Sequence, residues 1–167
     1  MQHGKGPPQH FRDLGVPVAN LLEFLMEIAN SLNLDRFLAA QAPVYPQVVA
    51  ELHEGQKQSH WMWFIFPQMA RLGSSPMARR YAIGSLKEAK AYVQHPLLGQ
   101  RLKECTRLML GHAHRSAHDI LGSPDDLKFR SSMTLFEAAT EKGSPFQRAL
   151  EVFYDGERDQ RTIALLR

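Results

Sequence analysis

Residues Ser59–Gln68 read SHWMWFIFPQ, six large apolar side chains in an unbroken run between a histidine and a Pro-Gln pair. Aromatic and β-branched residues favour strands, and a run this short cannot be assigned by periodicity. A lone buried strand would leave its backbone N–H and C=O groups unpaired, and no other segment alternates with period two to pair with it. The run is therefore expected to be a short helix at the centre of an all-helical core. Lys57, Ser59, His60 and Gln68 are then the polar groups pinned to that core's edge.

The flanks carry helical signals. Upstream, Val48, Val49 and Leu52 recur at helical spacing until Gly55, a natural terminator, which places Lys57 just past a helix end. Leu34, Phe37 and Leu38 begin an earlier helix after Asn33, and Leu21, Leu22, Leu25, Met26 and Ile28 approximate one face of another. Downstream, Ser75-Pro76, Ser123-Pro124 and Ser144-Pro145 each offer an N-cap oxygen followed by a proline pre-set for the first helical position. Ser85 and Glu88 have capping-box spacing, and His95-Pro96 closes the segment they open. Leu98, Leu102, Cys105, Leu108 and Met109 line one helical face up to Gly111; Phe146, Leu150 and Phe153 line another. The expected architecture is all-α, a compact single-domain bundle of about seven or eight short helices over residues 17–167. Residues 1–16, with Gly4, Gly6, Pro7, Pro8 and Gly15, are expected to be a flexible tail.

Composition narrows the function classes. The 167 residues fit one domain, and 44% hydrophobic with 22% charged residues excludes general disorder. The net charge of +3 comes from 20 Lys and Arg scattered among 17 acids, without the clustered basic stripe of a nucleic-acid surface. No run approaches the ~20 apolar residues of a membrane span, and the first residues lack a secretion signal's apolar core. The lone Cys105 forbids an internal disulfide and a multi-cysteine metal site; it lies between Leu102 and Leu108, where a small apolar role is expected. A cytoplasmic setting follows by elimination.

From about Leu34 to Leu166 the chain resembles a bacterial and fungal family catalogued as domain of unknown function 1810, sometimes labelled calpastatin. The residues that carry the resemblance include Asp35-Arg36-Phe37, Ala40-Gln41, Tyr45, Glu51-Leu52, Gly55, Lys57, the whole Ser59–Gln68 run, Leu72-Gly73 and Tyr81-Ala82-Ile83. They continue through Glu88-Ala89, His95-Pro96, Arg101-Leu102, Asp125-Asp126, Lys128 and Ser131 to Phe136. The resemblance implies a compact all-helical domain and brings no established activity. The calpastatin label implies a chain extended when alone, which a core's worth of aromatic residues contradicts. Arg71 stands where the family usually has glycine, and Phe129 where it usually has leucine.

The chemistry-bearing candidates fall into two stretches. In the first, Trp61 or Trp63 could stack on a planar ligand if one ring of the run lines a cleft instead of filling the core. Lys57 would present a donor to an anion, Ser59 and Gln68 would hydrogen-bond the ligand, and His60 would serve as general acid or base or satisfy backbone groups at a helix start. In the second, Asp125, Asp126, Lys128, Arg130, Ser131, Ser132 and Thr134 share one expected helix. There Asp126 would orient His60 or act as the attacking carboxylate, while Lys128, Ser131 and Thr134 would face the ligand; the bland account is a surface ion pair and close helix packing. The candidate metal set His112, His114, His118 lies in the polar segment GHAHRSAHD and is read as a solvated connection, with no metal expected. No cofactor or protein partner is named by any motif. The leading expectation is one cleft for a small anionic, partly planar ligand of nucleotide type. The alternatives are a hydrolase using His60 and Asp126, or a protein-interaction module using the aromatic block.

Overall fold

A computed structural model describes residues 32–167 together with Leu21 and Glu23. The expected tail over 1–16 lies outside the described residues, as does the expected helix from Leu21 apart from those two positions. Among the described residues ten helices follow in order: α1 (Asp35–Gln41), α2 (Tyr45–Glu54), α3 (Met62–Ile65), α4 (Pro76–Arg80), α5 (Leu86–Gln94), α6 (Leu98–Leu110), α7 (Ala117–Leu121), α8 (Asp125–Ala138), α9 (Pro145–Tyr154) and α10 (Gln160–Leu165). The fold is all-α as expected. The helices outnumber the expected seven or eight because α3, α4, α7 and α10 are short pieces of four to six residues. No described residue belongs to a strand; Met69 and Ile83 form one isolated parallel bridge.

Local chemistry accounts for most boundaries. Ser75 and Ser144 cap α4 and α9 by accepting from the N–H of Ala78 and of Gln147, each with proline opening the helix. Ser123-Pro124 departs from that pattern: α8 starts one residue later, behind Pro124 and without a side-chain cap. The acids Asp125 and Asp126 then occupy its positive first turn. Ser85 caps α5 as expected, but Glu88 reaches past it to the Gly84 N–H at 2.7 Å and to Arg36 at 2.9 Å. Gly55 ends α2 at φ 71°, the left-handed conformation a terminating glycine supplies.

Helix α6 is the central element, packed on α2, α3, α5 and α9, while α8 lies across α5, α7, α9 and α10. Gly99 permits the tight turn from α5 into α6: a Cβ there would lie 1.9 Å from the Val93 carbonyl oxygen. The core is aromatic at its centre. Phe66 meets Phe129 edge to face at 4.8 Å, Phe37 meets Tyr92 at 5.0 Å, and Tyr92 meets Phe136 at 5.3 Å. Phe129, at the usual leucine position, is therefore a core ring held between the central run and α9. Cys105 is buried, and burial pushes its thiol up to about 12, which suits the small apolar role. No helix among the described residues is long and apolar enough to cross a membrane.

Candidate functional site

The segment Gly55–Trp61 is wrapped around one buried carboxylate, Glu51 of α2. Its Oε2 accepts from the backbone N–H of Gln58 and of Ser59 and from the Trp61 indole at 2.9, 3.2 and 2.8 Å. Its Oε1 accepts from the Ser59 hydroxyl at 2.6 Å and from the Gln47 amide at 3.0 Å. Burial alone would push this carboxyl up, but the donors of Ser59, Gln58, Gln47 and Trp61 outweigh it and hold the group at about 2. The Lys57 N–H bonds the Ile120 carbonyl at 2.8 Å, fixing the middle of the segment to α7. From there the Lys57 side chain crosses to α8, where its Nζ lies 2.8 Å from Asp125 Oδ2 and 5.1 Å from the Trp61 ring centre.

One turn along α8, the Lys128 ammonium lies 3.8 Å from the other oxygen of Asp125 and 5.7 Å from the centre of the Trp63 ring. Two ammonium groups thus share one carboxylate, leaving one positive charge in excess beside a partly exposed indole. Lys128 covers a slot lined by Met62, Trp63, Phe66, Gln68 and Tyr81, with a volume of about 10 Å³, room for roughly one water. Gln68 is held there by its backbone, whose carbonyl accepts from the Ile83 N–H at 2.9 Å.

The two stretches therefore meet, through Lys57, Trp63, Gln68 and Lys128, and the remaining candidates go elsewhere. Trp61 is 1% exposed, packed against Phe66 and bonded to Glu51, so it offers no face to a ligand. The Ser59 hydroxyl is also spent on Glu51. Ser131 and Thr134 lie on the other flank of α8. The Ser131 hydroxyl donates to Asp159 at 2.9 Å, and Thr134 accepts from the Asp159 N–H at 2.9 Å while donating to the Arg130 carbonyl. Both tie down the start of α10. Burial would push the Asp159 carboxyl up, yet the hydroxyls of Thr162 and Ser131 bring it below its ordinary range.

His60 is exposed, and no hydrogen bond or ion pair joins it to Asp126. The Asp126 carboxylate instead lies 3.5 Å from His118 Nδ1 and accepts from the Leu127 N–H at 2.9 Å. The residue that joins the two stretches is Asp125, its neighbour. His112 donates its Nε2–H to the Leu52 carbonyl at 2.8 Å, and no group of three or more metal-ligating side chains forms among the described residues. The aromatic run is buried apart from Trp63, so it presents no broad flat patch.

A family profile described as protein of unknown function (DUF1810) matches residues 31–166. The chain belongs to this family. A crystal structure of a conserved hypothetical protein from Mycobacterium tuberculosis is 56% identical, covers 81% of this chain and 97% of its own, and superposes with a TM-score of 0.80. No curated protein matches the chain. The DUF1810 relationship carries the fold. Arg71, where the resemblance implies glycine, has φ 77°, left-handed backbone that glycine adopts without strain.

Two residues that organise this candidate site, Glu51 and Asp125, received no site role from the sequence, although Asp125 stands in the second candidate stretch. Glu51 had a visible signal, since it stands three residues after Val48 and beside Leu52, an acid inside an apolar stripe. Asp125 and Asp126 look alike in sequence; only the direction each leaves α8 separates them.

Proposed function

We propose that the protein is a small-molecule binding domain whose ligand places a flat apolar group on Trp63 and an anionic group on Lys128. The single observation behind this reading is the shared carboxylate. Asp125 neutralises one of its two lysines, so the ammonium over Trp63 is available to an anion, and the indole beneath it to a planar group. The slot is closed over by the flexible Lys128 side chain, and binding exchanges the lysine stem for the ligand ring while the ammonium keeps contact with the anion. A hydrolase reading with His60 and Asp126 as an acid/base pair draws no support, since Asp126 faces His118 while His60 is exposed.

The test is a thermal-shift titration with 1-naphthyl phosphate, against inorganic phosphate as the control lacking a ring. A ligand at about 100 times its Kd contributes about 2.7 kcal/mol to stability and raises the melting temperature by several degrees. Lys128→Ala and Trp63→Ala should each remove that rise. No shift in the unmodified protein at millimolar ligand would defeat the proposal.

A further inference from the structure

Resting on the binding reading above, we infer that Gln68 selects the ligand by reading the edge of a heterocycle, so that the preferred class is an anionic heterocycle with a hydrogen-bond donor and acceptor side by side. The walls of the slot are carbon surfaces from Met62, Trp63, Phe66 and Tyr81. Lys128 is its only charged lining group, and Gln68 is the one lining side chain that carries a donor and an acceptor on separate atoms in one plane.

The Gln68 amide makes no hydrogen bond to any described residue, although it is half buried among these walls. Gln41, the other glutamine against the aromatic run, shows the contrast. Its Nε2 donates to the Phe64 carbonyl at 2.7 Å and to the Tyr92 hydroxyl at 3.0 Å, and its Oε1 accepts from Arg101 at 3.3 Å. Gln41 is spent on the fold; Gln68 retains its hydrogen-bonding capacity. Solvent reaches this amide, and a ligand edge with matching groups would take the place of that water.

The amide is also held in place. Pro67 restricts the backbone before it, the Ile83 N–H fixes its carbonyl, and Gly73 lets the following loop close over it. A Cβ at Gly73 would lie 2.7 Å from the Ala78 Cβ and 3.5 Å from Gln68 Nε2. A glutamine amide presents acceptor and donor in one plane, the complement of an adenine edge. Stacking on Trp63, edge recognition by Gln68 and anion contact by Lys128 then address three parts of one molecule.

The experiment compares adenosine 5′-monophosphate with 1-naphthyl phosphate by calorimetry on the whole chain. The unmodified protein should prefer the nucleotide by about tenfold or more, the discrimination typical of a bidentate amide–base pair. Gln68→Leu keeps the side-chain size without its hydrogen bonds; it should weaken the nucleotide by about tenfold and leave 1-naphthyl phosphate within about twofold, with an unchanged melting temperature. Equal affinity of the unmodified protein for both probes, or parallel loss of both in the Gln68→Leu protein, overturns the selection by Gln68 while leaving the binding site standing. Absence of binding by either probe overturns both readings.

Discussion

The Lys57 ammonium lies 2.8 Å from the Asp125 carboxylate, joining positions sixty-eight residues apart in sequence, with side chains only 9% and 18% exposed. The pair is shielded enough that its loss leaves a real desolvation cost. Asp125→Ala strands Lys57 and places the Lys128 charge beside it without a counterion. It should cost about 2–3 kcal/mol, below the usual figure for a fully buried pair because both partners retain some water. Lys57→Met leaves Asp125 with Lys128 and should cost about 1 kcal/mol. Urea denaturation of the singles and the double replacement closes the cycle. A coupling energy near zero would mean that the contact does not join the two stretches in solution.

Glu51 makes stability acid-sensitive in a defined window. Its carboxyl is lowered from an ordinary 4.5 to about 2, so the folded state binds that proton less readily than the unfolded chain. The stabilisation is fully present above about 4.5 and lost as pH falls towards about 2. Asp159, also lowered, acts with the same sign, so the Glu51 share must be read by difference. Glu51→Gln should cost about 3 kcal/mol at pH 7, with the gap to the unmodified protein narrowing steadily below about pH 4.5. A gap constant between pH 7 and pH 3 would show that the carboxylate charge is not what organises the Gly55–Trp61 segment.

These two carboxylates mark where sequence reading stops. Features decided within a few residues were legible: the Ser75 and Ser144 caps, the Gly55 terminator, the stop at His95-Pro96, and the short helix inside the aromatic run. The meeting of Lys57 with α8 was foreseeable only as a wish, because it depends on how α7 anchors the Lys57 N–H through Ile120. The Ser131 and Thr134 hydroxyls look like site groups in a helix listing of polar residues, yet the chain folds back through Asp159 and consumes them. Ser123-Pro124 mimics the other two starts, yet α8 begins one residue later, at Asp125. Local rules set the helices here, and the site arises from which flank of α8 each residue occupies.

Arg71 is exposed and held at φ 77°, where a side chain carries a steric cost that glycine avoids. Left-handed backbone costs a non-glycine residue about 1–2 kcal/mol, while glycine returns roughly 0.5–1 of that as extra unfolded-state entropy. Arg71→Gly should therefore stabilise the protein by about 0.5–1 kcal/mol, a rise of about 1–4 °C in melting temperature for a domain of this size. Arg71→Ala keeps the strain and should give no gain. Equal effects of the two would trace the change to lost arginine contacts instead of backbone relief.

Trp61 and Trp63, two residues apart, should behave as different kinds of residue. Trp61 is sealed in the core with its indole N–H on Glu51, whereas Trp63 is partly exposed beneath Lys128. Trp61→Phe removes a donor from a buried carboxylate and should cost about 2–3 kcal/mol; Trp63→Phe should cost less than about 1. Fluorescence separates them independently, since each variant leaves a single indole. The Trp63→Phe protein should resist acrylamide quenching, and the Trp61→Phe protein should be quenched readily and lose that sensitivity when 1-naphthyl phosphate covers its remaining ring. Ready quenching of Trp61 would place it at the surface and dissolve the cage of donors around Glu51, on which the position of Lys57 depends.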